Sequence, residues 1–169
     1  MIYLIWLLRI IHIVGGIFWV GGTLTMAFFI VPAVGATAEA GQNFIGHLMG
    51  NLKFSNKMSA AAGLTILAGF ILYWIDSVGF TSAWMNSGAG RGFGIGAAFA
   101  LIGFVFGLLV GRTTKSMAQL GAQFQGKPSP AQLAQMQSLR KRQASYVNTS
   151  AAMLVIAAVF MAIARYLTF

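Results

Sequence analysis

Cysteine is absent from this chain of 169 residues, and acidic residues number only two, Glu39 and Asp76. Without cysteine there are no disulfides, thiolate metal sites or cysteine-ligated iron–sulfur clusters, so histidine, methionine and carboxylate are the protein ligands on offer. The two acids lie in segments expected at opposite membrane faces, so neither a carboxylate pair nor a nucleophile with its supporting base can be assembled. Hydrolytic catalysis is therefore not expected. Proline occurs three times and charged residues make up 8% of the chain, so little interrupts the apolar runs.

What is present is hydrocarbon. Hydrophobic residues make up 58% of the chain and its mean hydropathy is +0.79, which leaves too little polar surface to cover a soluble globule. The first run, residues 2–32, outlasts a hydrocarbon core of about 30 Å at a rise of about 1.5 Å per residue. Further runs predict an all-α integral membrane four-helix bundle, a single domain over 1–169 with spans at about 3–31, 57–76, 93–111 and 146–168. Ala36-Thr37-Ala38 imitates a signal-peptidase site, but the run before it is too long and lacks a basic n-region, so the first span is read as permanent.

Orientation follows from the cations. Lys53, Lys57, Arg112, Lys115, Lys127, Arg140, Lys141 and Arg142 fall at one end of the spans, against Arg9, Arg91 and Arg165 at the other. Short loops rich in lysine and arginine stay cytoplasmic, so both termini are expected outside, with a bacterial plasma membrane as the setting. The net charge of +9 then serves as anchorage to anionic membrane lipid, and no nucleic acid partner is expected.

Between the third and fourth spans, about 112–145, Met117, Leu120 and Phe124 recur at helical spacing before Gly126-Lys127-Pro128. Ser129 is a good N-cap with Pro130 at the first helical position, and Leu133, Met136 and Leu139 continue the spacing. The helices are thus expected to extend on the cytoplasmic side. Phe44, Ile45, Leu48, Met49 and Leu52 form an amphipathic stretch beyond Pro32 and Gly35 that leads into the second span. Gly92, Gly96, Ala100, Gly103, Gly107 and Gly111 make a small-residue stripe on the third, read as a helix-packing face that would also permit an oligomer. The glycines from Gly88 to Gly96 imitate a nucleotide-binding turn, but no strand precedes them.

The first span carries the chemistry-bearing pattern. Arg9, His12, Gly16, Trp19, Thr23 and Met26 are spaced three or four apart and share one helical face. His12 is expected about 13 Å from the outer end, too deep for an interfacial anchor, and an ionisable residue at that depth marks a functional site by default. Gly15 and Gly16 remove side chains where a macrocycle on the imidazole would press; they serve equally for helix packing, with His12 bonded to a neighbouring backbone or hydroxyl group. At the outer end Arg9, Arg91 and Arg165 face only Asp76 and the Phe169 carboxylate, and two haem propionates would supply the missing anions. His47 falls before the second span on the cytoplasmic side, about 20 Å or more from His12 in depth and so too far to share a haem with it, whereas Met161, on one face with Arg165, lies near its depth. Copper is a further reading, because His12, Met26, Met153 and Met161 are ligand types suited to cuprous ion, although the nine methionines are scattered along the chain.

His12, Trp19 and Gly22 form H-x6-W-x2-G, preceded by Tyr3 and Leu4. This first span resembles that of the HemJ-type protoporphyrinogen oxidases and is similar to the first helix of CopD-like membrane proteins. In the HemJ-like family the first-span histidine binds a b-type haem, so the resemblance implies that role for His12. That family also uses a lysine in a later span; the third span here has none, so the resemblance carries over neither the oxidase activity nor the second ligand. The expectation is a protein that holds haem b through His12, with Arg9, Gly15, Gly16, Trp19, Met161 and Arg165 around the cofactor. It would transfer electrons to a quinone or a larger membrane redox complex. A haem-free accessory or assembly subunit is the alternative, and copper handling the third.

Overall fold

The computed structural model describes residues 2–124 and 126–168; the Phe169 carboxylate of the charge argument lies outside them. In hydrocarbon a helix satisfies its own backbone polar groups, and helix is what these sequences form. Helix α1 (Ile2–Thr25) passes through a π turn at Met26–Ile30 into α2 (Val31–Ala36). Pro32 interrupts nothing, since it occupies the first turn of α2. The run breaks at Thr37 (φ −101°, ψ 9°), and the amphipathic stretch becomes α3 (Ala38–Gly50). A turn ending at left-handed Lys53 leads into α4 (Phe54–Asp76). A loop follows in which Val78, Gly79 and Phe80 all have positive φ, ending in a 3-10 turn at Ala83–Asn86.

Helix α5 (Gly88–Ala122) starts at Ser87, whose Oγ accepts from Gly90 N at 3.2 Å. Helix α6 (Pro130–Ile163) starts at Ser129 in a full capping box with Gln132, with proline in its first turn, as the sequence pattern predicts. A 3-10 turn at Ala164–Tyr166 ends the helical chain. Four helical segments, Ile2–Ala36, Phe54–Asp76, Gly88–Ala122 and Pro130–Tyr166, are long and apolar enough to cross a membrane. With 35 residues α5 is about 52 Å long, well beyond the hydrocarbon core.

The helices form two antiparallel pairs, α1 with α4 and α5 with α6, and glycine sets the close approaches. A Cβ at Gly22 would lie 2.8 Å from the Met58 sulfur, and one at Gly92 3.0 Å from Ala164. On α5, Gly96 packs against Ala157, Phe160 and Met161, and Gly103 against Leu154. Ser150 Oγ donates to the Gly103 carbonyl at 2.8 Å across the pair. The predicted stripe divides below that point. A Cβ at Gly107 or Gly111 would meet nothing within 4 Å, because both border a cavity between the two pairs.

Trp19, Ala62 and Leu154 form one buried cluster, and Ala27, Val147 and Ala151 another. Tyr73 Oη donates to Gly90 O at 3.1 Å and ties α4 to α5 near the end that carries the chain termini. At the opposite end Gln143 Nε2 donates to Thr114 Oγ1 at 2.7 Å. Large apolar side chains stand exposed on all four long helices, among them Ile17, Phe18, Leu64, Leu101 and Val159. Leaving such a residue in water forfeits about 1.5–3 kcal/mol, so this belt is the lipid-facing surface of an integral membrane protein.

Candidate functional site

Helix α4 completes the surroundings of His12. The imidazole is half-buried between α1 and α4, and its Nδ1 lies 2.8 Å from the backbone carbonyl of Thr65. A carbonyl oxygen only accepts, so Nδ1 carries the proton, and in the neutral ring Nε2 keeps its lone pair. The ring rests on Gly69, where a Cβ would come within 2.6 Å of Cε1 and 2.8 Å of Nδ1. Glycine at 69 is thus the condition for the Cε1–Nδ1 edge of the ring to approach α4 this closely.

The two glycines after His12 face the same helix. A Cβ at Gly15 would lie 2.6 Å from Thr65 Oγ1, and one at Gly16 3.7 Å from Thr65 Cγ2. Of the two uses open to Gly15, helix packing is therefore the one the contacts account for. Thr65 itself is buried, and among the described residues its Oγ1 has no hydrogen-bond partner.

The remaining first-span residues separate by depth. Trp19 is buried against Ala62 and Leu154, edge-on to Phe104 with ring centroids 6.1 Å apart. It belongs to the core, two turns further along α1 than His12. Thr23 Oγ1 donates to the Trp19 carbonyl at 2.9 Å. Arg9 and Arg165 are both exposed, on α1 and on the final turn. Met161 is half-buried against Gly96, so its positioning contact is on α5 whereas His12 is held by α4. Among the described residues no three of histidine, cysteine, aspartate and glutamate gather as a metal site.

Two features escaped the sequence pattern. Thr65 and Gly69 lie 53 and 57 positions beyond His12 and look like ordinary packing residues of an apolar helix. Second, Met26, Met49 and Met58, from the π turn, α3 and α4, come together around one cavity of about 140 Å³ between the helix pairs. No protein-family model, curated protein or solved structure matches this chain.

Proposed function

We propose that this protein binds one b-type haem in the membrane through His12 Nε2 and carries electrons. The observation that supports this reading best is the Nδ1 hydrogen bond to the Thr65 carbonyl. Histidines that ligate metals characteristically donate their second nitrogen to a carbonyl or carboxylate, which fixes the tautomer and makes the free nitrogen a better donor. His12, so held and half-buried in an apolar bundle, has the donor chemistry a haem iron takes. Arg9 and Arg165, exposed on segments near the terminal end of the bundle, suit the propionates. The contact that positions Met161 is with Gly96, so the proposal takes His12 as its one protein ligand.

A bound haem would supply one-electron redox chemistry; the chain would hold the ring, neutralise its carboxylates and keep water from it. A quinone or a larger membrane redox complex is the exchange partner this reading implies. In it the termini face outside, and the absence of cysteine makes that testable by introducing one at a time. Cysteine in place of Ser129 is expected to react with an impermeant thiol reagent only from the cytoplasmic side, and in place of Ser87 only from outside. The opposite pattern would reverse the orientation.

The alternative is a haem-free accessory subunit. It draws on the same contacts, because an imidazole seated on Gly69 and bonded to Thr65 has a complete structural role without any cofactor. Pyridine haemochrome analysis of protein purified from haem-replete cells separates the two. Haem b in stoichiometric amount is expected; a colourless, folded protein would leave the accessory-subunit reading.

A further inference from the structure

The cavity between the helix pairs has no part in the haem proposal. It is bordered by Trp19 and Phe104 towards the core, by Gly107 on α5, and by the three methionines Met26, Met49 and Met58. Among the described residues no ionisable side chain lines it. Its hydroxyl groups are largely committed elsewhere: Thr23 donates to the Trp19 carbonyl and Ser150 to the Gly103 carbonyl. Three methionines thus stand among its lining residues, beside the hydroxyl groups of Ser55, which donates to the Met49 sulfur, and of Ser59.

Each methionine is set there by a separate structural device. Met26 is buried and opens the π turn, a local widening of the helix that recurs at functional sites. Met49 receives a hydrogen bond on its sulfur from Ser55 Oγ at 3.4 Å. Met58 lies over Gly22, whose missing side chain gives the thioether its room. Methionine often fills irregular core gaps, yet here the gap beside the three side chains stays open.

We infer that Met26, Met49 and Met58 form a binding site for a cuprous ion. Thioethers are soft and neutral, so they match a soft monovalent cation and offer little to a hard or divalent one, whose desolvation here would be offset by no carboxylate or thiolate. Binding involves no change of oxidation state: Cu(I) exchanges its solution ligands for sulfur, and no proton is displaced. The site stands apart from His12 and does not depend on the haem reading.

The test is an anaerobic titration of the purified, detergent-solubilised protein with Cu(I) against a coloured Cu(I) chelator. One Cu(I) per chain is expected to be withheld from the chelator. Met26→Leu, Met49→Leu and Met58→Leu nearly conserve volume, and each is expected to weaken retention by about tenfold or more, the scale on which coordination partners act. Met136→Leu and Met117→Leu are expected to leave it unchanged. X-ray absorption of the loaded parent is expected to show a shell of sulfur, a readout that does not depend on the variants folding. A parent that retains no Cu(I), a triple leucine variant that retains it as the parent does, or a nitrogen-only shell would overturn the assignment.

Discussion

Replacing Gly69 by valine is expected to dislodge the His12 ring, while the same replacement at Gly63, on the same helix, is tolerated. A Cβ at 69 would stand 2.6 Å from Cε1 and 2.8 Å from Nδ1 of the imidazole, whereas one at 63 would meet nothing within 4 Å. The backbone of α4 is fixed by its own hydrogen bonds, so the imidazole must move, and the bond from Nδ1 to the Thr65 carbonyl is lost with it. Stranding buried polar groups in this way costs about 1–3 kcal/mol. The two variants share the change in helix propensity from glycine to valine, so the difference between their melting temperatures in detergent isolates the contact. On the haem reading Gly69→Val also lowers haem content and Gly63→Val does not. Equal melting of the two would show that the ring does not depend on Gly69.

Gly103→Leu is expected to destabilise the protein strongly and Gly107→Leu weakly. Gly103 lies 3.0 Å, measured from a Cβ built on it, from two atoms of Leu154, a side chain only 1% exposed, and its carbonyl accepts from Ser150. A leucine there has no free direction between α5 and α6, and overpacking of this kind costs about 1–3 kcal/mol. One turn further on, Gly107 borders the cavity and has room for a side chain. The comparison removes the shared helix-propensity gain of about 1 kcal/mol from glycine to leucine. A thermal melt followed by circular dichroism reads the difference, and a Gly107→Leu protein as unstable as Gly103→Leu would mean that the pairs close at the cavity.

The contrast between these two glycines also marks how far the sequence could be read. Hydrophobic run length is a local property, so four spanning helices were legible before any contact was known, and so were the Ser129 cap and the amphipathic stretch that becomes α3. A stripe of glycines tells that one face approaches a neighbour, but where the neighbour diverges depends on the partner's side chains; Gly107 and Gly111 lie past that point. His12 stood out because an imidazole is rare in hydrocarbon. Its partners did not, since a backbone carbonyl carries no residue signature and Gly69 lies on a helix rich in small residues.

The methionine cavity was the least legible feature. The nine methionines are scattered along the chain, and three of them line one cavity, Met26 from the π turn, Met49 from the end of α3 and Met58 from the start of α4 beyond the turn at Lys53. Neither device has a sequence signal as clear as a capping box. Arg9 and Arg165 were visible as an excess of positive charge, which names a requirement for anions and not the anion itself.

The most direct measurement of the central proposal is the reduced-minus-oxidised visible spectrum of the parent protein beside His12→Ala and His47→Ala, each purified from haem-replete cells and shown to be folded. The parent and His47→Ala are expected to show the same b-type Soret shift, and His12→Ala to lose most of it, because removing the imidazole takes away the one protein ligand. A His12→Ala protein with full haem and an unchanged spectrum would contradict the account.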